Sequence, residues 1–204
     1  MTETIENPFL KFENSSSQLG FDIPDTSMFG MLKISAKNQP DSLAYEYFGT
    51  KCTYKDLVKK IEKISGAYHS IGVRKGDIVT IVMPNTPEAV ISIYALNRIG
   101  AVANILHPLS AQEEIRNHIN RVNSKVLLCV EICCEKIANI IDETELETVV
   151  VASAGNSMPV VLKKLYALKC IKNYKYDKND KRYISWKNFS AMNKAVAEYT
   201  PTGD

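Results

Sequence analysis

No run of apolar residues in this chain approaches the ~20 that a helix needs to cross a bilayer, so a spanning helix is not expected. The N-terminus, Met1-Thr2-Glu3-Thr4-Ile5-Glu6, lacks the basic and then apolar pattern of a secretory leader, and a cytoplasmic location is expected. An excess of one charge is lacking too. Twenty-five Lys and Arg oppose 23 Asp and Glu, and a net charge of +2 gives no reason to invoke nucleic acid. No G-x-G-x-x-G follows any apolar run, which removes the dinucleotide fingerprint. No C-x-x-C occurs among Cys52, Cys129, Cys133, Cys134 and Cys170. A metal site would have to join Cys129, Cys133 and Cys134 to His118, yet adjacent Cys133 and Cys134 point to different sides of a helix. Free thiols acting as small buried apolar groups in a reducing compartment are the reading taken. Two N-x-S sequons, at Asn14 and Asn188, carry no weight without a secretory route. No internal repeat is visible.

What is present is enough apolar residue, 45% of 204, to bury the core of one or two domains. Residues up to about Asp25 are polar, with Ser15-Ser16-Ser17 breaking any period, and read as an extended arm over 1–26 with Phe9, Phe12 and Phe21 as docking points. Helical order is expected from Ser27, with Met28, Phe29, Leu32 and Ala36 at helical spacing and Pro40 closing the element. Leu43 to Phe48, Gly49-Thr50 and Lys51 to Thr53 read as a hairpin.

From Thr53 to Ile119 three helix starts and two buried strands follow one another. Thr53-Tyr54-Lys55-Asp56 can cap a helix reciprocally, and Leu57, Ile61, Ile64, Tyr68 and Ile71 form its apolar stripe. Ile78 to Met83 is a β-branched run expected to be covered on both faces. Thr86-Pro87-Glu88 then offers an N-cap, a proline at the first helical position and an acid for the dipole, opening a helix through Ile99 that is apolar nearly all round and therefore expected to be buried. Val102 to Leu106 reads as the next strand, and Ser110-Ala111-Gln112-Glu113 as a second capping box opening a helix to Val122. Lys125 to Val130 and Thr148 to Ala152 are further strands. The order predicts an α/β fold, a parallel sheet with helices on both faces.

Beyond it, Val160-Val161-Leu162, Leu165, Tyr166 and Leu168 give an amphipathic helix bearing Lys163, Lys164 and Lys169. A core-facing helix with a solvated basic side is expected, the alternative being a helix resting on a membrane surface. The Lys and Tyr run from Lys172 to Arg182 has the composition of a base-stacking segment, but Asp177 and Asp180 offset its charge and a solvated loop is expected. Ile184-Ser185-Trp186 with Phe189 returns to the core as a short strand, and residues 191–204 read as a linker.

Thr53-Tyr54-x-x-Leu57, Gly72-Val73-x-x-Gly76-Asp77-x-Val79, Pro84-Asn85-x-x-Glu88, Gly100-Ala101-Val102 and Pro108-Leu109-x-x-x-Glu113-x-Ile115, in this order and spacing, resemble the amino-terminal part of the adenylate-forming (AMP-binding) acyl-CoA synthetases and ligases. The likeness is strong over residues 28 to 153 and continues to about Phe189, so residues 27–190 would be an N-terminal subdomain. The resemblance implies ligation of a carboxylic acid, fatty acids included, through an acyl-adenylate, with ATP, Mg²⁺ and coenzyme A as cofactors. Such chemistry needs an anion cradle, a ribose carboxylate, a magnesium carboxylate and a lysine for the transition state. The family's Ser/Thr/Gly-rich loop ending in Pro-Lys and its Tyr-Gly-x-Thr-Glu segment are absent, and the chain is expected to stop just before the first of them. Ser153-Ala154-Gly155-Asn156-Ser157 and Thr202-Gly203-Asp204 resemble such motifs in composition only, the first with no following lysine in loop position and the second far out of family order.

What the resemblance leaves for this region is a wall of the thiol channel, made by Leu106, His107 and Pro108 after the Gly-Ala-Val strand, with Lys136 placed toward cofactor phosphates. His107 closing a strand structurally is the competing role, and packing is the default for His69 and His118. No catalytic group and no metal ligand is expected here. The two functional expectations are the N-terminal part of an AMP-forming acyl-CoA synthetase, partnered by the remainder of the same polypeptide, and a stand-alone binding or regulatory module derived from this subdomain.

Overall fold

The computed structural model describes residues 26–170, 179–192 and 194–200, with positions 169 and 170 as backbone only. The N-terminal arm with its three phenylalanines, the Lys and Tyr run over 171–178 and Thr202-Gly203-Asp204 lie outside the described residues. Helix α1 (Met28–Asn38) starts at Ser27, whose side chain accepts from the Gly30 N–H, and buries Phe29 and Leu32. Strands β1 (Leu43–Tyr47) and β2 (Thr50–Thr53) pair antiparallel. Their two-residue turn places Phe48 at φ 49° and Gly49 at φ 85°, the left-handed pair that suits the twist of a tight hairpin. Helix α2 (Tyr54–Ser70) is capped by Thr53, which accepts from the Asp56 N–H. The reciprocal half of the expected box does not form, because the Asp56 carboxylate accepts from the Thr53 hydroxyl instead. Leu57, Ile61, Ile64 and Tyr68 are buried as the stripe predicts.

The main sheet contains β3 (Ile78–Val82), β4 (Val102–Leu106), β5 (Val126–Val130), β6 (Thr148–Ala152) and β7 (Tyr183–Ser185), all parallel, in the order β4-β3-β5-β6-β7. The chain steps from β3 outward to β4, then back past β3 to β5. Right-handed crossovers therefore place α3 (Pro87–Arg98) on one face and α4 (Gln112–Arg121) with α5 (Cys134–Ile140) on the other. The packing follows this division. Helix α3 lies against α2 and α1, and α4 lies against α5. Buried Ser124 joins β3 to β5, accepting from the Thr80 N–H at 3.0 Å and donating toward the Ile78 and Val126 carbonyls.

Two helices depart from expectation. The second capping box does not form: α4 starts after Ala111 with no side-chain cap. Ser110 is held one residue too early, its N–H on the His107 carbonyl, and Glu113 pairs with Arg116. The larger correction concerns α6 (Val160–Cys170), which is not core-facing, since Val160, Val161, Leu162, Leu165 and Leu168 are all exposed. Helix α7 (Trp186–Ala191), capped by Ser185, does return to the core, with Phe189 fully buried and edge-on to Tyr68 at 4.9 Å.

Residues 194–200 carry no regular structure but lie against the helices. The Tyr199 N–H donates to the Arg98 carbonyl at 2.8 Å, Arg98 donates to the Val196 carbonyl at 3.2 Å, and Lys33 pairs with Glu198 at 2.7 Å. Gly66 permits this approach, because a Cβ there would sit 2.5 Å from the Lys194 carbonyl oxygen.

Candidate functional site

In an open sheet of this strand order, ligands bind outside the carboxyl ends of the strands, where the order reverses. Here that rim is formed by the segments after β4, β3, β5 and β6. The end of β4 and the segment after it hold three of the four candidate residues. Leu106 is half-buried, His107 exposed and Pro108 buried. The Ser110 N–H donates to the His107 carbonyl at 3.0 Å and the Leu109 N–H to His107 Nδ1 at 3.2 Å. The second bond makes the ring part of the turn and requires the neutral imidazole to carry its proton on Nε2.

Lys136, the fourth candidate, sits on α5 and reaches the same segment. Its Nζ donates to the Ser110 carbonyl at 2.8 Å and the Pro108 carbonyl at 3.3 Å, and Cys133 Sγ donates to the same Pro108 oxygen at 3.3 Å. The four residues are therefore brought together. Lys136 takes part in none of the ion pairs among the described residues, so its charge is not neutralised by a carboxylate there. Two of its three N–H donors hold the turn. Cys133 is a link that sequence reasoning did not find; its only signal was its place one turn before Lys136. Burial pushes the Cys133 thiol up to about 11, so it is present as the neutral donor.

On the other side of the rim, Ser153 to Ser157 form the turn that resembles a phosphate cradle. Three of its N–H groups are already engaged. Ala154 N donates to Glu131 Oε2 at 3.1 Å, Gly155 N to Ser153 Oγ at 3.1 Å and Asn156 N to the Ser153 carbonyl at 3.0 Å. Two carboxylates hold it: Glu131 accepts from Ser153 Oγ at 2.7 Å and Glu88 from Ser157 Oγ at 2.6 Å. Both acids are buried, and burial raises the Glu88 pKa against the opposing effect of Ser157. Tyr47 Oη closes the turn by donating to the Ala154 carbonyl at 2.9 Å. Burial and the charges of Glu88 and Glu131 raise that phenol's pKa. A loop with three of its N–H donors spent and two acids behind it does not fit nucleotide phosphates.

The comparisons with known proteins agree with this architecture. The model of the AMP-binding enzyme family matches residues 32–195. The chain belongs to that family. Among curated relatives, a long-chain-fatty-acid–CoA ligase of Bacillus subtilis is 24% identical over 146 residues, covering 72% of this chain and 26% of the relative. Acetyl-coenzyme A synthetase 1 of Saccharomyces cerevisiae is 36% identical over 84 residues, covering 41% of this chain and 12% of the relative. The crystal structure of a coronafacic acid ligase from Pectobacterium brasiliense superposes with a TM-score of 0.66 at 20% identity, over 82% of this chain and 30% of that one, a likeness of fold. The chain thus spans about a quarter or less of the curated relatives it matches.

Proposed function

We propose that this AMP-binding family chain is the N-terminal subdomain of an ATP-dependent, AMP-forming acid–thiol ligase, supplying sheet and channel wall but no catalytic group. The observation that carries the reading is the turn at Ser153 to Ser157, a loop with a cradle-like composition, three of whose N–H groups are consumed and whose neighbours are Glu131 and Glu88. Adenylation would therefore depend on residues that follow this region in the polypeptide, where ATP and Mg²⁺ would be held.

The rim formed by Leu106, His107, Pro108 and Lys136 is the part of this chain suited to a thiol cofactor such as coenzyme A. Lys136 orients the turn through two carbonyls and keeps an uncompensated ammonium for an anionic group of the cofactor, while Leu106 and His107 would flank its thiol arm. When bound, coenzyme A supplies the thiol that accepts the acyl group. The residues here would position it and hold no proton in transit.

The test uses a polypeptide extended to the length of its relatives, with ATP–pyrophosphate exchange and thioester formation measured separately. His107→Ala should leave exchange within about twofold and lower thioester formation about tenfold, the loss expected when a group contributes to one half-reaction only. Equal losses in both assays would assign His107 to folding or to the acid pocket. No loss in either would leave it as the turn residue its Nδ1 contact describes. Pyrophosphate release by neither the extended nor the short form would favour the binding-module alternative.

A further inference from the structure

Helix α6 presents an apolar face to solvent that the sheet does not use. Val160 is 70% exposed, Val161 69%, Leu165 51% and Leu168 63%. With Lys164 these residues recur at the spacing that places them on one side of a helix. The opposite side is anchored: Tyr166 is half-buried, with its ring where a Cβ on Gly155 would meet it. The helix carries three lysines and no acid in eleven positions. Its base adjoins a cleft of 370 Å³ into which Lys60, Lys63, Lys163 and Lys187 face beside Trp186. The charge is also segregated in the sequence. From Val160 to Arg182 there are eight Lys and Arg against two Asp, whereas the rest of the chain has seventeen against twenty-one acids.

We propose that α6 is a docking surface for a lipid bilayer bearing anionic headgroups, its valines and leucines entering the interface and its lysines meeting the headgroup phosphates. No helix of the described residues is long and apolar enough to cross a membrane, so the association is peripheral. Two features favour lipid over a second copy of the chain. An eleven-residue helix is only ~16 Å long and offers far less than the ~800 Å² per partner of a stable interface. Lys164, in the middle of the apolar face, would be buried unpaired in a self-complementary contact, while at a bilayer its stem lies along the apolar surface and its ammonium reaches the headgroups. The inference is independent of the ligase reading, since it rests on α6 and not on the rim.

The test is co-flotation of the 204-residue chain with vesicles of phosphatidylcholine alone and with vesicles containing about one third phosphatidylglycerol. The chain should float with the anionic vesicles, not with the neutral ones, and release as salt is raised. Lys163→Glu/Lys164→Glu should weaken binding at least about thirtyfold, because each lysine near such a surface contributes about fivefold in affinity and the two together about thirtyfold. Leu165→Glu/Leu168→Glu should weaken it about tenfold or more. All four substituted side chains are exposed, and circular dichroism matching the parent chain checks that folding is intact. Failure to float with anionic vesicles, or unchanged flotation of both variants, would overturn the proposal. So would a dimer in sedimentation that Leu165→Glu/Leu168→Glu dissolves without any vesicle binding, which would assign the face to a second copy. Loss of flotation in the polypeptide extended to the length of its relatives would overturn it too, by showing the face covered by its own chain.

Discussion

Replacing Leu96 by alanine tests whether α3 is the helix on which this fold is built. Leu96 is 0% exposed, and α3 packs against α1, α2 and β4. Ile93, one turn earlier, is only half-buried, so two aliphatic side chains of equal size on one helix differ in burial. Leu→Ala at a fully enclosed site costs about 2–3 kcal/mol in lost transfer energy and about 24 cal/mol for each Å³ of cavity that does not collapse. The surroundings of Leu96 are a sheet and two helices, which cannot close on the void easily, so about 3–4 kcal/mol is expected. Ile93→Ala, with solvent able to fill part of the space, should cost about 1–2 kcal/mol. Urea titrations followed by circular dichroism, with the slope unchanged, give both values as midpoint shifts. Equal midpoints for the two variants, or a Leu96 midpoint like that of the parent chain, would refute the burial argument for α3.

Arg98→Ala should destabilise by about 2 kcal/mol, because the guanidinium donates to Ser65 Oγ at 2.9 Å and the Val196 carbonyl at 3.2 Å and lies 5.6 Å from the Phe29 ring centre. The same variant should cut faster in limited proteolysis within 194–200, and an unchanged cleavage rate would mean that Arg98 does not hold this segment. Glu88→Gln tests the buried acid. Burial raises the folded-state pKa of Glu88 above the ordinary 4.5, so the folded chain binds the proton more tightly. Its contribution is full at low pH and is lost as pH rises from the ordinary value through the raised one. The variant should therefore flatten the pH dependence of the urea midpoint in that window, and an identical profile would place the carboxyl in water.

The elements that local chemistry dictates were legible from the sequence. Ile78 to Met83 could only be a covered strand, and Thr86-Pro87 and Ser27 could hardly be anything but helix starts. What needed three dimensions was less visible. Ser110 looked like a cap because its hydroxyl and Glu113 have the right spacing, but spacing does not reveal that Lys136, 26 residues away, holds the Ser110 carbonyl in a turn. The apolar residues of α6 have a helical period, yet a period cannot tell a face turned to the sheet from one turned outward. In the rim, His107 and Lys136 were named as candidates through family resemblance. Cys133, Glu131 and the buried Glu88 were not assigned to it, because their partners Pro108, Ser153 and Ser157 come from the segments that follow β4 and β6.

The most direct test of the account is ATP-dependent release of pyrophosphate, measured with magnesium and a panel of carboxylic acids. The 204-residue chain should release none above background, whereas a polypeptide continuing to the length of its relatives should do so with at least one acid. Magnesium-dependent turnover by the 204-residue chain itself would contradict the account, because it would require a phosphate site among residues whose one cradle-like loop is closed by Glu131 and Glu88.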